Sequence, residues 1–290
     1  HRGMDVAYAA TTLLAGVDAA IGGKTAVDLP AGKNLAGVIR QPLAVFIDPD
    51  CLATLPEAAL AAGMAEAVKT GVLAGEELWP LVAAPEPDYF AVLCGCAAYK
   101  AAVVSQEEQD AGIRLSLNLG HTVGHAVERH SCYAVSHGEA VAIGLATMAR
   151  AGAALGWCDS ITAERIKTAL KRRGLPLCYR CKPEELLPYL WADKKRQGEE
   201  LTVVLPHQIG YCSLRGMKEP QLLRLLREGL LPRAHADPPG APQAASPPQG
   251  GGRRGAAPQG RAPSCGARRP APGRDFYLII TLSRNSGISR

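Results

Sequence analysis

The stretch that decides the fold runs Glu57-Ala-Ala-Leu-Ala-Ala-Gly-Met-Ala-Glu-Ala-Val-Lys69. It consists mostly of helix formers, its apolar residues recur three and four positions apart, and Pro56 directly before it is typical of a helix start. We therefore expect an α-helix here, and similar patterns predict further helices along the chain. These helices are expected at residues 89–107, 116–129, 138–156, 160–173, 183–191 and 219–229.

The chain before this helix has a different pattern. Short β-type runs alternate there with glycine and proline, as strands joined by turns do. A further pair of such runs follows the helices. The expected strands lie at residues 6–9, 25–29, 35–39, 44–48, 201–205 and 210–214. The sequence thus predicts an α/β domain over residues 1–55 and a mainly helical domain over residues 56–233.

The end of the chain, residues 234–290, is rich in Pro, Gly and Arg. It has almost no large apolar side chains up to Asp275, so we expect it to be disordered, and the β-type run at 276–282 looks isolated. The whole chain carries a net charge of +5, and this tail with its eight Arg and two Asp carries +6. The remaining −1 on residues 1–233 argues against a nucleic-acid or membrane partner.

Compartment and redox state are suggested by two further features. The first residues show no secretory signal, and the apolar stretch 139–157 is interrupted by Arg150, which favours a buried helix over a membrane span. The nine cysteines are scattered, and the pairs Cys94/Cys96 and Cys178/Cys181 lack a matching second pair at zinc-site spacing. We expect reduced thiols in a cytoplasmic protein.

Gly23-Lys-Thr25 invites comparison with a phosphate-binding loop. That motif requires a glycine five residues before Gly23, where this chain has Asp18, so a nucleotide P-loop is excluded. Lys24, Lys33 and Asn34 remain as cationic and amide donors near turns. They could hold a phosphate or carboxylate, or they could simply be solvated beside the turns.

A possible metal site is indicated by histidines and one glutamate. His121 and His125 lie one helical turn apart, His137 follows beside glycine, and Glu66 and Lys69 share a face of the decisive helix. Imidazoles together with a carboxylate are the usual ligands of a catalytic zinc. A surface ion pair between Glu66 and Lys69 and ordinary core histidines are the alternatives.

Several long motifs follow one another over residues 1 to about 230. They are Thr11-Thr-Leu-Leu-Ala-Gly-Val-Asp-Ala-Ala-Ile-Gly-Gly-Lys-Thr-Ala-Val-Asp28, Gly32-Lys-Asn-Leu-Ala-Gly37, Gly63-Met-Ala-Glu-Ala-Val-Lys69, Leu117-Asn-Leu-Gly-His-Thr-Val-Gly-His125, His137-Gly-Glu-Ala-Val-Ala-Ile-Gly144 and Asp193-Lys-Lys195. Together and in this order, they closely resemble the 3-dehydroquinate synthase family. The resemblance implies the end of a Rossmann-like NAD-binding domain followed by a helical metal-binding domain, and a homodimer in the intact family.

The resemblance also implies roles for individual residues. The metal, Zn2+ or Co2+, would be held by Glu66, His121 and His137, and catalysis would involve His125, Lys69, Asp110 and Asn118. NAD contacts would come from Thr11, Thr12, Asp18, Lys24, Lys33, Cys51, Leu52, Ala53 and Thr54. The phosphorylated sugar-acid substrate would be bound by Arg2, Lys24, Asn34, Lys69, Lys100, Arg114, Asn118, His125, Lys194 and Lys195.

The activity implied by the resemblance is the conversion of 3-deoxy-D-arabino-heptulosonate 7-phosphate to 3-dehydroquinate and phosphate, a step of the shikimate pathway of aromatic amino acid biosynthesis. Asp110 stands where the family has Glu, one methylene longer. The family's glycine-rich pyrophosphate cradle would precede Arg2. We therefore expect an N-terminally truncated chain with impaired NAD binding and activity. Another sugar-phosphate cyclase and an inactive interaction remnant are the alternatives.

Overall fold

The computed structural model describes residues 5–29, 32–107, 112–191, 196–197, 199–231 and 278–280. Strands alternate with turns in its first part, and helices dominate from Glu57 onwards. The strands are β1 (Ala7–Ala10), β2 (Lys24–Leu29), β3 (Gly32–Ile39), β4 (Ala44–Ile47), β5 (Arg196–Gln197), β6 (Glu200–Gln208), β7 (Tyr211–Met217) and β8 (Leu278–Ile280). The helices are α1 (Glu57–Ala74), α2 (Trp79–Ala83), α3 (Tyr89–Gln106), α4 (His121–His130), α5 (His137–Leu155), α6 (Ser160–Lys171), α7 (Pro183–Trp191) and α8 (Glu219–Gly229).

The α/β part is built on two parallel strands. β1 pairs with β4 in parallel, with Ala7 opposite Ala44, and β2 and β3 form an antiparallel hairpin. A π-helical turn at Ala15–Ala19 follows β1, and a 3₁₀-helix at Pro49–Thr54 follows β4. Because β1 and β4 are parallel, both of these segments leave the sheet at its carboxyl edge.

The β-type run near the end of the chain is not isolated, contrary to the sequence-based expectation. Leu278–Ile280 pairs antiparallel with β4, with Ile279 opposite Phe46. Its apolar side chains suit a strand, and the edge of β4 offers unpaired backbone groups for it. The expected disorder of the rest of residues 234–290 concerns positions outside the described residues.

The helical part is organised around α5. This helix contacts α1, α4, α6 and α8, and fourteen of its residues are buried, so the apolar stretch is a core helix as expected. Strand β6 packs beside it and pairs antiparallel with β7, and α8 follows this strand pair along the chain. The fold class expected from the sequence, an α/β part followed by a helical part, is confirmed.

One predicted helix is wrong. The segment 116–129 is divided into a 3₁₀-helix at Ile113–Asn118 and the separate helix α4. Gly120 interrupts it because this residue has a φ of 77°, and a Cβ there would lie 2.9 Å from the backbone nitrogen of Leu145. Only glycine combines that conformation with so close an approach, which places the N-terminus of α4 directly against α5.

A second glycine brings α5 against α1. A Cβ on Gly138 would lie 2.7 Å from the carbonyl oxygen of Ala62, so the two helix backbones are nearly in contact there. Both close approaches lie next to residues of the candidate site. Gly120 directly precedes His121, Gly138 directly follows His137, and Ala62 lies one helical turn before Glu66. The small residues thus determine the spacing of the elements that carry the candidate site.

Helix α3 is the described helix that is long and apolar enough to cross a membrane by length and composition. It packs against α1 and the π-helical turn. Core helices of folded domains meet the same criterion, so this observation by itself does not indicate a span. The eight cysteines among the described residues are all free thiols, as expected.

Candidate metal centre and substrate site

Three elements bring the predicted metal ligands together. Glu66 lies in the middle of α1, His121 is the first residue of α4, and His137 is the first residue of α5. The Oε1 oxygen of Glu66 lies 3.1 Å from Nε2 of His121 and 3.0 Å from Nε2 of His137. Glu66 is fully buried, so its carboxylate is oriented by protein groups alone.

The outer nitrogens of both imidazoles are also engaged. Nδ1 of His121 lies 3.2 Å from the carbonyl oxygen of Leu119, to which it donates, so Nε2 is the nitrogen directed at Glu66. Nδ1 of His137 lies 3.5 Å from Oε1 of Glu128. Histidines that bind metals are held in the same way, by a carbonyl or carboxylate behind the ring. One carboxylate and two imidazoles whose Nδ1 atoms are held by protein groups therefore fit a divalent metal such as zinc.

Electrostatics at this cluster favour positive charge between the three ligands. Burial raises the pKa of Glu66, but Lys69 and His121 more than compensate and hold this pKa well below its usual range. Burial lowers the pKa of His137, whereas hydrogen bonds to Glu128 and Glu66 raise it to about 9 overall. The Glu66 carboxylate thus attracts a proton or a metal cation to Nε2 of His137, while Glu128 faces Nδ1 on the other side of the ring.

A buried network of charges adjoins the ligands. Nζ of Lys69 lies 2.7 Å from Oε2 of Glu66 and 3.1 Å from Oδ1 of Asp18, and the Lys69 residue is 1% exposed. Nζ of Lys100 lies 3.0 Å from the same Asp18 oxygen and donates to the Asp18 carbonyl at 2.6 Å. The pair of Glu66 and Lys69 is therefore part of a buried network, and the alternative of a surface ion pair is excluded.

The pKa values in this network differ in direction. Burial lowers the pKa of Lys69, yet Asp18 and Glu66 raise it above its usual value. Burial also lowers the pKa of Lys100, and there the attraction of Asp18 is too weak to reverse the shift. Burial raises the pKa of Asp18, but the two lysines outweigh it and the pKa is lowered.

His125 lies beside the proposed ligands. Its ring centroid is 5.3 Å from that of His121 and 6.2 Å from that of His137. One turn further along α4, Glu128 places its carboxylate within 4.8 Å of nitrogens of both His125 and His137. The structure thus brings a third imidazole to the edge of the metal cluster, where it can exchange protons with a bound molecule.

Other predicted site residues have local partners. Asn118 donates from Nδ2 to the carbonyl of Leu115 at 3.1 Å, and Arg114 is buried and donates from Nη2 to the carbonyl of Gly22 at 2.5 Å. Thr12 accepts from the backbone nitrogen of Ala15 at 3.2 Å and so caps the turn after β1. Their contacts with substrate or NAD stay predictions.

The remaining predicted NAD contacts lie near the carboxyl edge of β1 and β4 or on the hairpin. Thr11 is exposed directly after β1, and Cys51, Leu52, Ala53 and Thr54 form the end of the 3₁₀-helix after β4. Lys24 is exposed at the start of β2. Lys33 and Asn34 lie in β3, where only the backbone is described. Arg2, Asp110, Lys194 and Lys195 lie outside the described residues.

Sequence reasoning missed Glu128. This glutamate is 2% exposed and lies behind His137, the position that orients a metal ligand. Its spacing was a usable signal, because Glu128 follows His125 by three residues and therefore lies on the same face of α4. The sequence also missed the role of Asp18 as the carboxylate shared by Lys69 and Lys100.

Solved structures of similar fold include sugar-phosphate cyclases. One is ValA, a 2-epi-5-epi-valiolone synthase from Streptomyces hygroscopicus subsp. jinggangensis 5008 with NAD+ and Zn2+ bound (24% identity, TM-score 0.71, covering 78% of this chain and 66% of that chain). A second is 2-deoxy-scyllo-inosose synthase complexed with carbaglucose-6-phosphate, NAD+ and Co2+ (26% identity, TM-score 0.69, covering 79% and 68%). This chain therefore spans about two thirds of the length of these relatives.

Fold and site together define the class of sugar-phosphate cyclases. The family models for the N-terminal and C-terminal parts of 3-dehydroquinate synthase match residues 1–62 and 63–196. The chain belongs to the 3-dehydroquinate synthase family. The resemblance seen in the sequence motifs is thereby confirmed.

Proposed function

We propose that this chain acts as a 3-dehydroquinate synthase, an NAD- and metal-dependent lyase that converts 3-deoxy-D-arabino-heptulosonate 7-phosphate to 3-dehydroquinate and phosphate. The observation that carries the proposal is the convergence of Glu66, His121 and His137 beside the buried Lys69. A polyhydroxylated substrate at this cluster would meet the metal ligands, the ammonium group of Lys69 and the imidazole ring of His125 within one site. We also expect the protein to act in the cytoplasm as a homodimer.

The metal site would fix the reacting hydroxyl group. Glu66, His121 and His137 would hold Zn2+ or Co2+, which when bound polarises the carbon–oxygen bond at the position that is oxidised. Glu128 and the Leu119 carbonyl hold the Nδ1 atoms of His137 and His121, so both Nε2 atoms face Glu66, where the metal would be held. Lys69 fixes the second oxygen of Glu66 and so keeps Oε1 directed at both imidazoles.

NAD would lie at the carboxyl edge of β1 and β4. Ligands of open α/β sheets bind at this edge, and the capped turn at Thr12 and the 3₁₀-helix ending at Thr54 both begin there. The π-helical turn after β1 contains Asp18, so the same short segment connects the nucleotide edge to Lys69 and Lys100. When bound, NAD would accept a hydride from the substrate and later return it, and the protein would orient the two molecules.

Proton transfer is the part of the reaction assigned to His125. Its ring lies beside the metal ligands without belonging to the set formed by Glu66, His121 and His137. Imidazole exchanges protons near neutral pH, which suits removal of a proton next to a newly formed ketone. The departing phosphate can accept a proton as well, so a modest base is sufficient.

A different sugar-phosphate cyclase is the second candidate. It is favoured by the neighbours of known structure, which are valiolone and inosose synthases. All of these enzymes would share the metal ligands, and they would differ in the groups that recognise the substrate. The heptulosonate carries a carboxylate that a simple hexose phosphate lacks, so substrate preference separates the candidates.

The test is product analysis with the full chain, NAD+ and Zn2+. We expect slow release of phosphate and formation of 3-dehydroquinate from the heptulosonate phosphate, since NAD binding is expected to be impaired, and no product from glucose 6-phosphate. Glu66→Gln is expected to reduce the rate by more than about 100-fold, because even residues behind metal ligands contribute about 10–100-fold. Glu76→Gln, on the exposed partner of Arg165, is the matched control and retains the rate. Turnover of glucose 6-phosphate alone would establish the second candidate.

A further inference from the structure

A second group of potential metal ligands lies at the opposite end of α4 from His121. Ligand atoms of His130, Cys181 and Glu185 all lie within 4.8 Å of one another. His130 is the last residue of α4, and Glu185 lies in the first turn of α7. Nine residues of helix separate His121 from His130, a distance of about 13–14 Å along the axis. The two clusters are therefore separate sites.

The His130 ring is held in place from several directions. Its Nδ1 lies 2.8 Å from the hydroxyl of Tyr179, a residue that is fully buried. The rings of Tyr179 and Tyr189 meet it edge-on, with centroids 5.6 Å away in both cases. With Nδ1 used by the tyrosine hydroxyl, Nε2 is the nitrogen that a cation would take. A hydrogen bond behind the ring is the arrangement that orients metal-binding histidines.

Glu185 is also fixed at one of its oxygens. Its Oε2 accepts a hydrogen bond from the backbone nitrogen of Lys182 at 2.9 Å, which caps the start of α7. The carboxylate is thereby positioned by the backbone, and Oε1 is the oxygen available to a ligand. This arrangement costs little side-chain freedom when a cation binds, because the rotamer is already set.

Cys181 completes the group and determines its chemistry. A ligand atom of Cys181 lies within 4.8 Å of those of His130 and Glu185, and the thiol would lose its proton on binding a cation. One thiol, one imidazole and one carboxylate suit Zn2+ or Co2+ rather than Mg2+ or Ca2+, which prefer oxygen ligands only.

We propose that His130, Cys181 and Glu185 form a second, structural binding site for a borderline divalent cation of the Zn2+ type. The site joins three parts of the helical domain: the end of α4, the segment before α7 and the first turn of α7. Because α4 begins with the metal ligand His121, a cation at its other end would fix the helix relative to α7, which it already contacts. The cysteine spacing alone had argued against a zinc site, but the other two ligands are not cysteines: His130 comes from α4, and Glu185 lies four residues after Cys181.

The test is titration of the full chain with Co2+ as the probe, followed by absorption spectroscopy. A thiolate bound to Co2+ gives an intense charge-transfer band in the near ultraviolet, and the Glu66, His121 and His137 cluster contains no sulfur. We therefore expect this band in the wild-type protein and in Glu66→Gln. We expect it to be lost in Cys181→Ser and retained in Cys178→Ser, which removes the neighbouring thiol of the same segment.

A milder variant covers the case in which Cys181→Ser fails to fold. Glu185→Gln keeps an oxygen that can cap α7, so we expect the fold to be retained. It removes the negative charge, so the Co2+ affinity measured from the charge-transfer band should fall by about tenfold or more. Absence of the band from the wild-type protein would overturn the proposal. So would a band that persists in a folded Cys181→Ser, or an affinity unchanged by Glu185→Gln.

Discussion

Replacement of Lys69 by methionine tests the buried charge network most sharply. The Lys69 side chain is 2% exposed, and its ammonium group contacts Glu66 at 2.7 Å and Asp18 at 3.1 Å. The substitution keeps most of the side-chain volume and leaves the buried carboxylate of Glu66 without its cationic neighbour. Removal of one partner of a buried ion pair costs about 3–5 kcal/mol. We expect the lower end, about 3 kcal/mol, because Asp18 still contacts Lys100.

Lys100→Met is the matched control for this variant. Both lysines are buried and share Asp18, but the pKa of Lys69 is raised by its partners whereas that of Lys100 is lowered by burial. The folded protein thus stabilises the charge of Lys69 and disfavours that of Lys100. Lys100→Met is therefore expected to cost less than Lys69→Met, about 1.5 kcal/mol or below, because burial already disfavours the charge of Lys100 and Asp18 keeps its contact with Lys69.

The assay is urea unfolding followed by circular dichroism, with a chelator present so that metal does not compensate for the lost lysine. The free energies of unfolding of both variants are compared with that of the wild-type protein at one pH near neutrality. A loss below about 1 kcal/mol for Lys69→Met would refute the reasoning, because a broken buried pair costs about 3–5 kcal/mol. An equal or larger loss for Lys100→Met would refute it as well.

Three further predictions address packing and surface charge. Gly138→Ala should lower the free energy of unfolding by about 1–3 kcal/mol and weaken Zn2+ binding at least about tenfold, because the new methyl group forces α5 away from α1. Gly156→Ala is the control: its φ of 83° should cost about 1–2 kcal/mol, but the space around it is open, so the Zn2+ affinity measured by calorimetry should not change. Arg150→Met should cost about 2–4 kcal/mol in urea unfolding, because Arg150 donates to buried backbone carbonyls at 2.5 and 2.7 Å. The hydrogen bond from Arg165 lowers the pKa of Glu76, so NMR titration should find the midpoint of Glu76 below that of a free glutamate. The stabilisation from this hydrogen bond is lost as pH falls through that midpoint. Arg165→Met should return the midpoint to the usual value.

Much of the fold follows from local sequence patterns. The predicted α8 and α7 agree with the structure at both ends, because proline or a capping residue marks their starts and their apolar spacing is clear. The segment 116–129 failed because a single glycine with a positive φ divides it, and no local pattern distinguishes that glycine from one tolerated within a helix. The pairing of Leu278–Ile280 with β4 depends on chain segments more than two hundred residues apart, which local patterns do not reveal.

The residues of the candidate site that belong to the family motifs could be predicted from the sequence. Glu66, His121 and His137 are separated in sequence, yet the family motifs named all three, and the structure brings their ligand atoms together. Glu128 was missed because a lone glutamate on a helix has many explanations. The group at Cys181 was missed because His130 comes from α4, and only the packing of α4 against α7 brings it to Cys181 and Glu185.

X-ray absorption at the zinc edge of the Cys181→Ser variant tests the central claim most directly. This variant leaves Glu66, His121 and His137 as the proposed ligands, so bound Zn2+ should show nitrogen and oxygen neighbours alone, at about 2.0–2.2 Å. The same variant with His121→Ala added should lose the stoichiometric zinc. A sulfur neighbour at about 2.3 Å in the first of these proteins, or zinc retained at full stoichiometry in the second, would contradict the account.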